Sequence, residues 1–304
     1  MATCLSQVYH ENILGVNAGY AKFETFPVWN LPLEHPVNLA YEAATADIND
    51  VNLIDNFHFR KYRIKSVNYN RDIDTFPILK NILKKLLKKN IYFSPTDMGV
   101  NMIGFCITND QVVEDASKKE IVRRYYNELN NYKMGLCDED TYKRIKVLMN
   151  KLNIDEYYLD VVKPSLKIKE NGKPSIAIKI GDKIITGKQS KLMTAPGVTI
   201  INTLKYLSNI PDDIDLLSPI VLEPIIKLKN EMNSGDRLLL SEVLTALSIC
   251  SVTNPLAAKA LAFIPKIRNA EAHATYIITG NDKITLKELK INLTCENVFL
   301  EEEI

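Results

Sequence analysis

The spacing of apolar residues changes near Pro164–Gly172, and this change constrains the fold more than any other feature of the sequence. Before it, apolar residues recur at helical spacing, as in the amphipathic stretch Thr75–Lys89, where Ile78, Ile82, Leu83 and Leu86 fall on one face. After it, Ser175–Ile180 and Lys183–Thr186 alternate around Gly181-Asp182, which predicts a β-hairpin. The lysine-rich stretch between the two halves predicts a linker.

The length of the chain predicts two domains, because 304 residues exceed what one typical core holds. We place them at residues 1–165 and 166–304 and expect an α/β (α+β) protein. The first domain is expected to be mainly helical, with polar loops that face a ligand. The second is expected to be a three-layer α/β sandwich. A strand is expected at Ala274–Thr279. The hairpin–helix–strand order of this domain resembles the cytidine deaminase-like fold, an analogy that transfers no chemistry.

Composition argues against several classes of partner. A net charge of +1 gives no bulk attraction to nucleic acid or anionic lipid. No apolar run approaches the roughly 20 residues of a membrane span, and no secretory signal opens the chain. The five cysteines are scattered without metal or redox spacing. We therefore expect no nucleic-acid or membrane partner, no metal site built from cysteines, and a cytoplasmic protein with reduced thiols.

The segment Glu42–Asn101 is dense in carboxylates, amides and basic side chains. Arg71 beside Asp72 suggests a guanidinium that holds a phosphate or carboxylate while the aspartate orients it. His58 is suited to proton transfer near neutral pH. Carboxylates between 47 and 55 (Asp47, Asp50, Asp55) offer hard oxygen ligands for Mg²⁺.

A structural role competes with each of these assignments. Asn and Asp are ordinary turn residues, and Asp97 followed by Met98-Gly99 fits a tight turn. For any single carboxylate the structural role is favoured, whereas for the whole segment a binding role is favoured.

The candidate residues fall into two groups. The catalytic candidates are His58, Asp72 and Asp97. The ligand-binding candidates are Asn68, Asn70, Arg71, Thr96, Asn101 and Lys188. Lys188 follows the hairpin in a Gly-Lys loop that suits an anion but is also common without one. The pair Glu271 and His273 resembles part of a zinc deaminase signature, but the required cysteine pair is missing.

Long strings of the sequence resemble one bacterial family. The strings are KFETFPVWN, HPVNLAYEAATADINDVNLID, VNYNRDI and SPTDMGVN in the first half, and ITGKQSKLM and LSNIPDDIDLLSP in the second. They are similar to domain-of-unknown-function family 1846 along the whole chain.

The resemblance implies that family members carry a further N-terminal α/β domain. That domain ends in a Gly-Pro-Gly-Ser-Gly-Lys loop, followed directly by the helix at 2–14. Such a loop resembles a P-loop, which holds phosphates at a helix N-terminus. Met1 falls at or next to the position after the lysine, so we expect a C-terminal portion that lacks the loop. A fragment, a gene split by a frameshift, and a short form paired with a separately encoded N-terminal domain all remain open.

Two functions follow as expectations, and the sequence leaves enzymatic activity undecided. One is the C-terminal part of a nucleotide- or phosphate-binding enzyme of the phosphoryl or nucleotidyl transfer class, with nucleotide and Mg²⁺ in the intact protein and no activity of this part alone. The other is a non-catalytic oligomeric or small-molecule-binding module, with subunit contacts through the helices of Gln111–Leu152. A homo-oligomer is expected in either case.

Overall fold

The computed structural model describes residues 1–23, 26–101, 103–169 and 173–300, and it confirms a mixed α/β protein, 54% helical. The described helices are α1 Ala2–Ile13, α2 Pro36–Ala44, α3 Asn56–Tyr62, α4 Asn70–Leu87, α5 Asp110–Lys133, α6 Glu139–Lys151, α7 Val162–Lys169, α8 Ala195–Leu207, α9 Pro219–Glu231, α10 Leu240–Cys250, α11 Pro255–Leu261 and α12 Gly280–Glu288. The described strands are β1 Lys22–Phe23, β2 Asn52–Ile54, β3 Val67–Tyr69, β4 Gly99–Val100, β5 Ser175–Ile180, β6 Lys183–Lys188, β7 Glu271–Ala274 and β8 Asn292–Cys295.

The chain forms two compact units. The first unit contains Met1–Tyr125 and Cys137–Ile154, and the second contains Tyr126–Leu136 and Asp155–Ile304. The domain boundary expected between residues 165 and 166 stays a prediction. The stretch predicted as a linker is helical up to Lys169 in α7, and residues 170–172 lie outside the described part of the chain.

In the first unit, α1 packs along α4. Val8 of α1 meets Phe76 and Leu83 of α4 in a core that Met98 completes. The apolar face predicted for α4 is only partly confirmed, because Leu83 is 1% exposed whereas Ile78 is 66% exposed. Phe76 and Leu83, seven residues apart, lie on one side of α4 with Leu79 and Leu87, so the buried stripe is rotated about the helix axis from the predicted one.

The polar segment after α2 is more regular than its sequence pattern indicates. β2 and β3 pair antiparallel, with Asn52 opposite Tyr69, and α3 connects them in the sequence. Asp55 caps α3 by accepting a hydrogen bond from the backbone N–H of His58 at 3.0 Å. Such a cap starts a helix where apolar periodicity gives no signal. Of the candidate residues, His58 lies on α3 and Asn68 on β3, which leads directly into α4 at Asn70.

The second unit is built on a mixed four-stranded sheet in the order β6-β5-β7-β8. The predicted hairpin is confirmed, with Gly181 at φ +57° in the turn between β5 and β6. Ile176 and Ile178 of β5 belong to the core that includes α8 and α10. On the alternate face, Ser175 donates through Oγ to the carbonyl oxygen of Ser165 in α7, so helices cover both faces.

The strand predicted at Ala274–Thr279 lies earlier than expected. β7 pairs in parallel with β8, from Glu271 opposite Asn292 to Ala274 opposite Cys295. This pairing, which the local sequence does not reveal, selects the residues that become extended. Among the described residues, none of the helices combines the length and apolar character needed to cross a membrane.

Candidate functional site

Two of the three catalytic candidates come together in the first unit. Nδ1 of His58, on α3, lies 3.6 Å from Oδ1 of Asp97 and 3.0 Å from Oγ of Ser94. His58 and Asp97 are each about one-seventh exposed, at 14% and 15% of their side chains. The third candidate, Asp72, has a different neighbour and is described below.

The carboxylate of Asp97 closes the turn in which it lies. Its Oδ2 accepts hydrogen bonds from the backbone N–H of Phe93 at 2.7 Å and of Ser94 at 3.1 Å. The phenol of Tyr62 donates to the same oxygen at 3.2 Å. Burial, followed by the Asp97 charge, raises the pKa of Tyr62 above its ordinary value. The tight turn considered as the structural alternative is therefore formed, and Asp97 organises it.

The contact of Ser94 with His58 superficially resembles a nucleophile beside its base. In a Ser-His-Asp triad, however, serine and aspartate occupy opposite ring nitrogens, whereas both neighbours here lie near Nδ1. Ser94 is also 0% exposed, so no substrate reaches its hydroxyl in this conformation. The geometry favours a buried polar network over acyl transfer.

Thr96 belongs to the same network through Asp55, which sequence reasoning considered only as an Mg²⁺ ligand. Oδ2 of Asp55 accepts from Oγ1 of Thr96 at 2.7 Å and from its backbone N–H at 3.2 Å. Asp55 is 0% exposed, and its other oxygen caps α3. Within the described ranges, no three carboxylates from 47–55 meet closely enough to share an ion.

The amide candidates on and after β3 bind the protein's own backbone. Asn68 accepts through Oδ1 from the N–H of Tyr69 at 2.9 Å. Asn70 accepts from Val51 N–H and donates to the Asn49 carbonyl, each at 3.3 Å. Asn70 thus links the start of α4 to the segment before β2, whereas Asn68 bonds to the adjacent residue on β3.

The expected pairing of Arg71 with Asp72 is wrong. Nη2 of Arg71 lies 2.5 Å from Oδ2 of Asp50, whose side chain is only 1% exposed. Oδ2 of Asp72 instead lies 2.6 Å from Nζ of Lys22. Both residues are in α4, where consecutive side chains point about 100° apart, so each finds a separate partner.

The Lys22–Asp72 pair adjoins the start of α1. Met1, Lys22, Asp72 and Thr75 line one cavity of about 30 Å³. The side chains of the ion pair remain partly exposed, Lys22 at 43% and Asp72 at 26%. The N-terminus of α1, the ammonium of Lys22 and the carboxylate of Asp72 therefore lie close together. The sequence alone does not show this proximity.

The remaining two candidates lie apart from this place. Nδ2 of Asn101 donates to the Pro27 carbonyl at 2.6 Å, and its Oδ1 is buried without a hydrogen-bond partner among the described residues. Lys188 is exposed at the end of β6 in the second unit.

Sequence reasoning missed a cluster made by His35, Asp110 and Glu114. Nδ1 of His35 caps α2 by accepting from Val37 N–H at 3.2 Å, so a neutral ring carries its proton on Nε2. Nε2 lies 3.1 Å from Oδ1 of Asp110 and donates to it. A metal on Nε2 of a neutral ring would need the proton on Nδ1, which would remove the cap on α2, so the donor set fits a hydrogen bond better than an ion. Seventy-five residues separate His35 from Asp110, and no local motif links them.

His273, considered in the sequence as part of a zinc signature, is fully buried on β7. Its Nδ1 lies 2.8 Å from Oγ1 of Thr294, and its Nε2 lies 3.0 Å from Oε1 of Glu296. Tyr126 packs edge-on against the ring. Both nitrogens are occupied by protein groups, which supports the packing role.

Comparison with known proteins places the chain among longer bacterial relatives. The sequence pattern described as "Domain of unknown function DUF1846, N-terminal" matches residues 1–153, and that described as "Domain of unknown function DUF1846, C-terminal" matches residues 158–304. A UPF0371 protein of Clostridium botulinum strain Eklund 17B is 49% identical over 317 residues, and one of Clostridium tetani strain Massachusetts is 47% identical over the same length. Each alignment covers 100% of this chain and 63% of the relative. The chain thus spans less than two thirds of these relatives.

Proposed function

The chain belongs to the DUF1846 family, and from this premise we propose that it supplies part of a site for a nucleotide or another phosphorylated ligand. The reaction class that we propose is phosphoryl or nucleotidyl transfer. In this class the protein acts mainly by positioning the phosphates and stabilising their charge. The proposal extends to the longer relatives, for which we propose a glycine-rich phosphate-binding loop ahead of the helix that corresponds to α1.

One observation carries the proposal: Met1 at the start of α1 lines the same cavity as Lys22 and Asp72. A helix N-terminus directs backbone N–H groups and a partial positive charge toward an anion. Lys22 adds an ammonium at that end. At about 30 Å³ the cavity holds about one water molecule, so the phosphate would lie at its mouth.

Asp72 fits a second role in the same place. Its Oδ2 contacts Lys22, which leaves Oδ1 for a hard cation. Mg²⁺ is commonly held by one or two carboxylates together with the substrate phosphates, so a single protein carboxylate suffices. Bound Mg²⁺ would neutralise phosphate charge, while Lys22 orients the carboxylate of Asp72.

The other candidates act at a distance in this proposal. His58, Thr96 and Asp97 shape the 93–98 turn, and Asn68 and Asn70 hold the strand before α4. A direct role in catalysis or ligand contact is a separate proposal for the eight candidates other than Asp72: His58, Asn68, Asn70, Arg71, Thr96, Asp97, Asn101 and Lys188.

The experiment compares the longer C. tetani relative with this chain. ATP with Mg²⁺ should raise the melting temperature of the relative, because a ligand at 100 times its Kd adds about 2.7 kcal/mol of stability. Replacing the residue aligned with Asp72 by asparagine should abolish that rise. Replacing the residue aligned with Asp74, exposed on the same helix, should not. No rise in the unaltered relative would sink the proposal.

A non-catalytic module is the second candidate, and the polar network favours it. Asp55, Thr96 and Asp97 make their hydrogen bonds within the protein. In that case Arg71→Ala and Asp97→Ala lower stability and leave every ligand affinity unchanged. Variants that stay folded and lose ATP binding would count against this alternative.

Several architectural expectations join the proposal. The mixed order of the second unit's sheet supports a likeness to the cytidine deaminase-like sandwich, which carries no chemistry by itself. Homo-oligomerisation through the helices of 111–152 and a separately encoded N-terminal partner also stay proposals. Sedimentation of the chain, alone and with such a partner, tests both.

A further inference from the structure

Two lysine side chains are buried in the described part of the second unit, and only one of them has a carboxylate partner. Lys229 is 6% exposed, and its Nζ lies 2.8 Å from both carboxylate oxygens of Glu242. Lys205 is 7% exposed, and its one hydrogen bond goes to the backbone carbonyl oxygen of Asp212 at 2.9 Å. A buried ammonium is costly unless a charge or several acceptors compensate it. Lys205 therefore calls for an explanation that Lys229 does not.

Lys205 forms part of the wall of a cavity of about 680 Å³. The cavity lies between β6, the last turn of α8 and the loop after it. Its polar lining is Lys183, Thr186, Asn202, Lys205, Tyr206, Asn209 and Asp212, and its apolar lining is Ile184, Ile185, Ile210 and Pro211. The lining contains two lysines and one aspartate, so it carries a net positive charge. The volume lies within the range of about 300–1,000 Å³ of small-molecule sites.

We propose that this cavity binds a small organic anion, with the ammonium of Lys205 as the group that holds its carboxylate or phosphate. One of the three ammonium hydrogens is used by Asp212, and two remain for the ligand. Ile184, Ile210 and Pro211 provide an apolar surface for the rest of the molecule. Nδ2 of Asn202 is committed to the Thr186 carbonyl, which leaves Oδ1 to accept from a ligand hydroxyl.

A purely structural role for Lys205 makes a different prediction. If Lys205 served only to fasten the loop at 209–212, its bond to Asp212 would be its whole contribution. Lys205→Met would then lower stability, and anions would have no effect at the cavity. If Lys205 instead binds a ligand, its charge is kept for that role, and an apolar side chain of similar volume at this position should not destabilise the fold. Lys205→Met then folds and loses the anion.

The test uses the whole chain with methyl-labelled isoleucines and follows NMR shifts during titration with phenyl phosphate. We expect saturable shifts at Ile184 and Ile210 and none at Ile249, which is exposed on α10. Inorganic phosphate, which lacks an apolar group, should bind more weakly. Lys205→Met should weaken phenyl phosphate binding at least tenfold, the factor of about 1.4 kcal/mol.

Lys259→Met is the matched control, because Lys259 is exposed on α11 and does not line the cavity. It should leave the affinity unchanged. Lys183→Met, at the exposed edge of the cavity, should weaken binding and gives a second variant in case Lys205→Met does not fold. Absence of saturable shifts at about 10 mM probe, or equal affinity in the lysine variants and the control, overturns the proposal.

Discussion

Replacing Asp55 by alanine tests whether the polar side chains of residues 42–101 stabilise the fold through internal hydrogen bonds or are kept to bind a ligand. Asp55 is 0% exposed and accepts three hydrogen bonds, one from His58 N–H and two from Thr96. Alanine removes both acceptor oxygens and, with them, all three hydrogen bonds. The Thr96 hydroxyl keeps a second contact with Oγ of Ser66 at 3.2 Å, so two backbone N–H groups are left without acceptors.

The magnitude follows from those two groups. A buried donor left without an acceptor costs about 1–3 kcal/mol, and loss of a helix N-cap costs about 0.5–2 kcal/mol. Because His58 N–H accounts for the cap, these terms overlap, and we expect a loss of about 3–4 kcal/mol. Asp55→Asn should cost less, since asparagine still caps a helix.

Urea denaturation followed by tryptophan fluorescence measures this loss in the first unit alone. The chain has one tryptophan, Trp29, and it belongs to that unit. Asp74→Ala is the matched control, because Asp74 is exposed on α4 and has no polar contact among the described residues. A loss below about 1 kcal/mol for Asp55→Ala, similar to that of the control, would refute the reasoning.

Three further predictions concern single side chains. Burial raises the pKa of Glu42, so the folded state loses stability as pH rises from the ordinary value of 4.5 through the folded pKa. Glu42→Gln should therefore raise the free energy of unfolding at pH 7. This gain should disappear below pH 4.5, where Glu42 is protonated in both states. Burial raises the pKa of Cys295 to about 11, so iodoacetamide at pH 8 should modify exposed Cys4 and spare Cys295, as peptide mass spectrometry can check. A Cβ at Gly187 would lie 2.4 Å from Oγ1 of Thr199, so Gly187→Ala should destabilise the second unit by about 1–3 kcal/mol in thermal unfolding; an unchanged melting temperature would contradict that contact.

Much of the helical framework was predictable, because apolar spacing and turn residues are local signals. α1, α8 and the β5–β6 hairpin follow directly from them. The start of α4 was predicted too late, because its first turn, Asn70–Ile73, is polar and gives no apolar periodicity. The buried face of that helix depends on its packing against α1, which no local pattern specifies.

The candidate site was predictable in composition but not in pairing. Density of polar residues identified the segment that holds His58 and Asp97, which do meet. Their adjacency in the sequence suggested that Arg71 acts with Asp72. On the helix they point in different directions, so Arg71 pairs with Asp50 and Asp72 pairs with Lys22. Partners tens of residues away in the sequence decide these contacts, so one sequence cannot assign them.

The position of β6 at one edge of its sheet bears on how this protein behaves at high concentration. An edge strand exposes backbone hydrogen-bonding groups on which a strand of another molecule can pair. The middle of β6, Ile184–Thr186, is rich in β-branched residues that would favour such growth. Lys183 and Lys188 bracket it with like charges that repel a second copy in the same register. These two lysines therefore help to keep neighbouring molecules apart in a crowded cell, and neutralising both would make the chain more prone to aggregate.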